Sequence, residues 1–425
     1  MKRRAARQSG SPVKSAHRSQ MNDKRISVAY FTNAQIRGGA EEHILTLLEH
    51  LDRQRFLPHL IAPPALIEKL QSDLPADVIV LPVFLELPIQ LAAAWKLARF
   101  LREKRIDILH SHHFRSSLMA SPIGWFCRVP ITMETSHGRE LWRKGRFFID
   151  RFAGLFVDHY IAVSRSTAEW LIQQKGLPAS KIHVICSASD MRRFDPLRPA
   201  PLGVKLGLGF NECDPVLLVA GRLEPQKGHR VLLDAMPLIL QEFPQARLVC
   251  VSTGSLKSEL EKRVADLGIS DSVRFVGYQP DIRDWWALAD LSVLPSFYEG
   301  LPLSAIESLA MECPIVATAV DGTPEVVLNE KTGLTVPPGD PKSLASAICR
   351  TLRDPDWAKQ MARAGRQHVL NEFSIETLVK KTQQLYLHAW DRYLGTADLA
   401  PASAGGPSIP EREDVTRFRV TVQKD

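Results

Sequence analysis

The sequence predicts an α/β protein built from two Rossmann-like domains that face one cleft, and three observations support this. Short apolar runs alternate with amphipathic helical stretches along most of the 425 residues, as in sheets made of strand–helix–strand crossovers. The alternation breaks once, after Asp195, in the Pro- and Gly-bearing stretch DPLRPAPLGVKLGLGFNECD, and then resumes. No apolar run reaches the ~18–20 residues of a membrane-spanning helix, the nearest approach being Ser117 to Cys127.

The elements follow in order. Residues 1–24 lack an apolar segment of the secretory type and read as a disordered basic arm, with Met21 a possible alternative start. Residues 25–195 form the first domain. Ile26 to Phe31 is its first strand, followed by a loop through Gly38 and Gly39 and a helix with Ile44, Leu45, Leu48 and Leu51 on one face. Further strands are expected near Leu60, Val78 to Leu81, Ile106 to Leu109, Ile131 to Glu134, Tyr160 to Val163 and Ile182 to Ile185. Residues 196–214 are the linker, without firm periodicity. The second domain, 215–374, carries strands at Val216 to Ala220, Arg247 to Val251, Val273 to Val276, Leu291 to Leu294 and Ile315 to Ala317. A helix over 375–395 packs across the domains rather than extending either sheet, and 396–425 is a flexible Ala-, Pro-, Gly- and Ser-rich tail.

The formal charge of +7 is unevenly placed: +6 in residues 1–24, −1 in residues 396–425 and only +2 in residues 25–395. That body charge does not argue for nucleic acid. The six cysteines lie far apart with no CxxC pair, which points away from a zinc ribbon or disulfide framework and toward a reducing, cytoplasmic setting.

Two stretches carry chemistry. Val219-Ala-Gly-Arg-Leu-Glu-Pro-Gln-Lys-Gly228 follows a buried strand and leads into a helix, so that backbone N–H groups, Arg222 and Lys227 converge on a site suited to a diphosphate. In Ser296-Phe-Tyr-Glu-Gly-Leu-Pro-Leu-Ser-Ala-Ile-Glu307, Glu299 lies in a loop and Glu307 in the first turns of the next helix, where carboxylates accept hydrogen bonds from sugar or ribose hydroxyls. The competing readings are a solvated basic loop and a pair of helix-start glutamates. His110-Ser-His-His113 has no carboxylate or cysteine to complete a metal site, and Asp354-Pro-Asp356 reads as a helix cap.

The order of GGAE (Gly38 to Glu41), AGRLEPQKG (Ala220 to Gly228), EGLPLSAIE (Glu299 to Glu307), DGTPEVV and TGLTVPPGD resembles the retaining glycosyltransferases of family 4, over about residues 25–390. The resemblance implies the GT-B fold, with its C-terminal helix crossing back between the domains. It implies that Arg222 and Lys227 clamp the diphosphate of an NDP-sugar, and that Glu299, Gly300, Leu301 and Pro302 contact donor sugar and phosphate. Glu307 would hold the ribose, and Gly38, Gly39 and Gly221 would allow close backbone approach. His137 would lie near the sugar, and Thr323 and Glu325, in a loop, would line the base and phosphate side. The chain departs from the family's frequent residues at Ser187-Ala188 and Ser308.

The resemblance further implies retaining, metal-independent transfer of a hexose or related sugar, with no cofactor beyond the NDP-sugar co-substrate. The acceptor would be a glycan or a lipid-linked molecule of cell-surface polysaccharide or lipopolysaccharide synthesis. A non-catalytic envelope-assembly scaffold, a nucleotide-sugar epimerase and a glycan phosphorylase are the alternatives. The segment from Arg139 to Phe152 interleaves basic and aromatic residues, and Lys96, Arg99, Arg102, Lys104 and Arg105 decorate another helix. Such stretches suit a peripheral contact with anionic membrane at the inner face of the cytoplasmic membrane, or equally a core-packed helix with a charged solvent face.

Overall fold

A computed structural model describes residues 25–85, 90–139 and 152–396. Within it lie two wholly parallel sheets. The first has seven strands in the order β3-β2-β1-β4-β5-β6-β7: β1 Ile26–Phe31, β2 Phe56–Ala62, β3 Ile79–Pro82, β4 Ile108–His112, β5 Ile131–Ser136, β6 His159–Ala162 and β7 Ile182–Val184. The second has six in the order β10-β9-β8-β11-β12-β13: β8 Val216–Ala220, β9 Arg247–Val251, β10 Val273–Gly277, β11 Leu291–Leu294, β12 Ile315–Thr318 and β13 Leu334–Val336. In each sheet the chain winds outward one way and then reverses, between β1 and β4 and between β8 and β11. Crevices at such reversals, beyond the carboxyl ends of the strands, are where doubly wound sheets bind ligands.

Burial explains the strands. All six residues of β1 are buried, because helices cover both faces of a parallel sheet. Val28 and Tyr30 pack on one side with Ile44 and Leu48. Ala29 and Phe31 pack on the other with Leu97 and Phe100. The C-terminal helix Ile375–Leu394 returns to the first domain, where Leu378, Leu385, Tyr386 and Trp390 join the core of β1, β4 and β5. Its Tyr386 hydroxyl bonds Tyr30 at 3.2 Å and His110 Nδ1 at 2.5 Å.

Several expectations need correction. The stretch read as an aperiodic linker contains a short helix, Leu202–Gly207, whose Lys205 ammonium donates to the Glu212 carbonyl. Thr323 and Glu325 lie in a short helix, Thr323–Val326, that opens with Pro324 near its start, and not in a loop. β13 was not expected: three residues with Thr in the middle carry too little period-2 signal. The strand expected at Ile106 to Leu109 runs instead to His112, because His110 and His112 are fully buried despite their polarity. The basic arm, the tail beyond residue 396 and the basic-aromatic residues 140–151 lie outside the described residues.

The domains meet at strand-end loops. The Glu325 carboxylate accepts from the backbone N–H groups of Arg165 and Ser166, both at 3.0 Å, and so satisfies the open N-terminus of the helix Arg165–Gln173 across the interface. Arg139 pairs with Asp321 at 2.5 Å. A Cβ on Gly300 would stand 1.9 Å from the His137 carbonyl oxygen, so the loops touch backbone to backbone. Replacing Gly300 with Ala is therefore expected to hold the domains apart, raising the radius of gyration in small-angle X-ray scattering. The folding cost should stay within about 1–2 kcal/mol, because opening relieves the clash. Unchanged scattering from a folded Gly300→Ala protein would show that the contact does not limit closure.

Candidate functional site

The carboxyl ends of the two sheets enclose a cleft of about 920 Å³. Its second-domain wall starts at β8. Beyond Gly221 the chain turns sharply because Leu223, fully buried, anchors the loop by hydrogen bonds with Thr253 and Leu256. Glu224 accepts from the Ser255 N–H and hydroxyl, at 3.0 and 2.8 Å, and these bonds hold its carboxyl below the usual range. A 3-10 turn, Pro225–Lys227, then leads to Gly228 at φ 66°, where a Cβ would lie 2.0 Å from the Pro295 carbonyl oxygen. Only glycine satisfies both conditions, and it starts the helix His229–Glu242.

This turn aims Lys227 inward. Its Nζ lies 2.6 Å from Glu299 Oε1, which also accepts from the Ser296 hydroxyl at 2.7 Å. Glu299 is 5 % exposed, and its backbone N–H donates to Asp321, the partner of Arg139. Arg222 lies at the exposed mouth of the cleft with no ion pair within 4 Å among the described residues. Glu307 projects from the helix Leu303–Ala310 into the same cleft. Burial pushes its carboxyl up to about 7, opposed by the neighbouring Trp286 indole, which favours the charged form.

The opposite wall comes from the first domain. Gly38 and Gly39 start the helix Gly39–His50, and a Cβ on Gly39 would come 3.4 Å from Leu303 across the cleft. Glu41, 4 % exposed, accepts from the Thr32 hydroxyl at 3.4 Å, and burial pushes its carboxyl up to about 7. His137, in the loop after β5, faces the cleft. It belongs to a packed group of imidazoles: His112 Nδ1 lies 2.9 Å from His137 Nε2, and the His43 ring stands perpendicular to His137 at 5.2 Å. Burial lowers all of these pKa values, to about 4 for His43 and about 3 for His110, and well below the ordinary value for His112 and His137.

Of the expected site residues, Gly38, Gly39, His137, Gly221, Arg222, Lys227, Glu299, Gly300, Leu301 and Glu307 line this one cleft. Pro302, Thr323 and Glu325 do not. Pro302 precedes the helix bearing Glu307, Thr323 is fully buried with its hydroxyl unpartnered among the described residues, and Glu325 is spent on the interdomain cap. Residues given no site role from sequence also reach the cleft: Glu41, quoted only as part of GGAE, Ser187, noted only as a departure from the family, and Ser252, Tyr278 and Gln279. For Ser252, Tyr278 and Gln279 the available signal was position just past a strand end. Among the described residues no group of three or more His, Cys, Asp or Glu is placed to hold a metal ion. The histidines of β4 are committed elsewhere, His110 to Tyr386 and Thr135 and His112 to His137.

Comparison with known proteins agrees with this architecture. Residues 37–193 match the Glycosyltransferase Family 4 domain, and residues 214–354 match Glycosyl transferases group 1. The chain is 30% identical over 306 residues to a D-inositol 3-phosphate glycosyltransferase of Frankia alni, covering 67% of this chain and 74% of that one. It is 26% identical over 302 residues to an Escherichia coli UDP-Gal:alpha-D-GlcNAc-diphosphoundecaprenol alpha-1,3-galactosyltransferase, covering 68% and 78%. Among solved structures, a Rickettsia africae glycosyltransferase superposes with TM-score 0.74 at 22% identity, covering 86% of this chain and 99% of its own. Anabaena Alr3699/HepE, solved with UDP and glucose, also superposes with TM-score 0.74, at 21% identity and covering 86% and 100%. With two parallel sheets closing on one cleft and this relatedness along both, the chain belongs to the GT-B glycosyltransferases of the family 4 type.

Proposed function

We propose that this glycosyltransferase takes a hexose or related sugar from an NDP-sugar and transfers it, with retention and without a metal, to a glycan or lipid-linked acceptor of cell-surface polysaccharide or lipopolysaccharide synthesis. The observation that carries this reading is the placement of Arg222 and Lys227 with Glu299 and Glu307 along one wall of the cleft. Two cations suit a diphosphate, and two carboxylates suit hydroxyl groups. The names of two similar proteins point the same way: one transfers galactose from UDP-Gal to a diphosphoundecaprenol-linked acceptor, and the other was solved with UDP and glucose.

The chemistry follows from position. The donor diphosphate would lie against Arg222 and Lys227, which offset the charge that builds on the leaving group as the glycosidic bond breaks. Glu307 would accept from the ribose hydroxyls, and Glu299 with the Gly300 to Pro302 segment would contact the sugar and its phosphate. Gly38 and Gly39 bring the N-terminus of a 12-residue helix to the facing wall, without a Cβ to hold the diphosphate away. Attack on the same face as the departing phosphate would let that phosphate take the acceptor proton, so that the protein's share is orientation and electrostatics. Closure would exclude water.

Membrane contact is part of the proposal. On the helix Leu91–Glu103, Leu91 and Trp95 are 85% and 63% exposed, one turn apart and beside Lys96, Arg99 and Arg102. Trp125 and Phe126 are exposed at the end of the adjoining helix. Among the described residues no helix is long and apolar enough to cross a membrane. Aromatic side chains amid basic ones suit the headgroup layer of an anionic leaflet.

Three measurements test this reading. Thermal unfolding against UDP, GDP and ADP without added metal should show an upward shift for one nucleotide, lost in Arg222→Ala/Lys227→Ala. At a ligand concentration a hundredfold above Kd the stabilisation is about 2.7 kcal/mol. If no nucleotide shifts the folded wild type, the transferase reading fails and a scaffold role gains.

The second measurement concerns Glu307. Its free carboxyl sits at about 7 and ribose hydroxyls favour the charged form, so binding lowers its pKa and releases a proton. Affinity should therefore climb as pH rises toward 7, by up to about tenfold per unit below it, and level off above. Calorimetry in buffers of different ionisation enthalpy should detect the released proton in wild type and not in Glu307→Gln. Equal proton release in both would exclude Glu307 from the ribose site. Third, the protein should sediment with vesicles containing phosphatidylglycerol and not with pure phosphatidylcholine, and Trp95→Ala/Trp125→Ala should reduce that binding. Equal sedimentation of wild type with both vesicles would remove the anionic-membrane claim.

A further inference from the structure

His112 lies on β4 with no solvent exposure; its Nδ1 meets His137 Nε2 at 2.9 Å, and its Nε2 has no hydrogen-bond partner among the described residues. Burial, and then the imidazoles of His110, His137, His43 and His113 around it, keep the ring neutral. Burial, with His113, His43 and His110 beside it, does the same for His137. Each ring therefore carries one proton and one lone pair.

Two arrangements satisfy the contact. If His112 donates from Nδ1, the buried atom left without a partner is a lone pair on its Nε2. If His137 donates from Nε2 instead, the orphan is a buried His112 N–H. Orphaned buried N–H groups are the rarer and costlier case, so the first arrangement prevails. His137 must then hold its own proton on Nδ1. Two of the neighbouring imidazoles are engaged with other partners. His43 Nδ1 is engaged by the Ser187 hydroxyl at 3.1 Å, and both nitrogens of His110 are taken by Tyr386 and Thr135.

We infer that His112 is a positioning residue that locks His137 in the Nδ1–H tautomer, so that His137 meets its ligand as a hydrogen-bond donor and not as a base. Its Nε2 lone pair is occupied by His112 and its other nitrogen already bears a proton. The oxygen it recognises is thus an acceptor, from a sugar hydroxyl or a phosphate, and the proton leaving the acceptor substrate goes elsewhere. This role in transfer rests on the proposed function, whereas the tautomer does not.

The test is a long-range proton–nitrogen correlation spectrum of the full chain labelled with nitrogen-15 histidine, with no nucleotide or sugar added. The His137 signals are assigned by their loss in His137→Gln. The expected wild-type pattern is a protonated Nδ1 and a bare Nε2 on His137. His112→Phe keeps a ring and removes the donor, and should lose that pattern to a mixture of tautomers. His112→Asn, whose amide N–H stands near the place of Nδ1–H, should retain it. A wild-type His137 protonated on Nε2 overturns the inference, as does an unchanged Nδ1–H pattern in folded His112→Phe. If the Phe variant does not fold, the wild-type spectrum alone still decides the tautomer. Because no substrate is present, failure here is separate from failure of the nucleotide-shift experiment.

Discussion

The closest constraint in the molecule is the backbone contact between the loop after β5 and the loop after β11. Gly300 passes so near the His137 carbonyl that no side chain fits between them, and Gly322 in turn packs against the Gly300 carbonyl and Ser164. Everything functional hangs on that contact. It brings the imidazole of one domain beside the carboxylates of the other, and it brings Arg139 to Asp321, which in turn holds the Glu299 backbone. Strand-end loops can do this because each sheet is rigid and fully covered, so the loops inherit fixed positions from two packed cores.

Part of the first domain's interior polarity is gathered into one patch that reaches the cleft. Tyr30, Tyr386, His110, Thr135, His112, His43 and Ser187 form a packed group that runs from the returning C-terminal helix to the cleft wall. Unpaired polar groups in a core are costly, and here most find each other. The consequence is mechanical as well as electrostatic. The returning helix is tied to β1 and β4 through Tyr30 and His110, and His110 packs on His112, which backs the His137 loop, so the helix and the cleft wall share one packed group. Burial keeps the imidazoles uncharged, which prevents a cluster of like charges from forming behind the cleft wall.

What sequence reasoning reached and what it missed divide along physical lines. Runs such as Ile26 to Phe31 and Val216 to Ala220 announce themselves because strands buried on both faces must be apolar throughout. The turn from Gly221 to Gly228 is readable because Gly, Pro and Lys each do something no other residue does there. Glu325 is different. Nothing local distinguishes a carboxylate bound for substrate from one that caps a helix 160 residues earlier in the chain, and only the folded apposition of the domains decides. His110 and His112 were legible only in the negative: spaced by two on a strand, they share a face and lack the carboxylate or cysteine of a metal site, but only the fold shows that Tyr386 and His137 occupy them. The three-residue β13 and the six-residue helix Leu202–Gly207 fall below the length at which periodicity says anything.

The charge state of the cleft bears on how the proposed diphosphate would be accommodated between two walls that both carry carboxyl groups. Counted formally, the four carboxylates Glu41, Glu42, Glu299 and Glu307 outnumber the three cations Arg37, Arg222 and Lys227 around the cleft, a balance that on its face disfavours a diphosphate. Two of those carboxyls, Glu41 and Glu307, are pushed up to about 7 by burial, so near neutral pH neither carries a full charge. A third, Glu299, is already paired with Lys227 and hydrogen-bonded by Ser296. The fourth, Glu42, is bound by Arg37. The field left for an arriving anion is that of Arg222, and the Lys227 ammonium can turn from Glu299 toward a phosphate without leaving either partner in a dry interior alone, since Glu299 keeps the Ser296 hydroxyl. In the proposed donor complex the pairing of Glu42 with Arg37 and of Glu299 with Lys227 would offset those two charges, and Glu307 would give up its proton only as ribose hydroxyls reach it, so that carboxylates could serve hydroxyl groups without closing the cleft to phosphate.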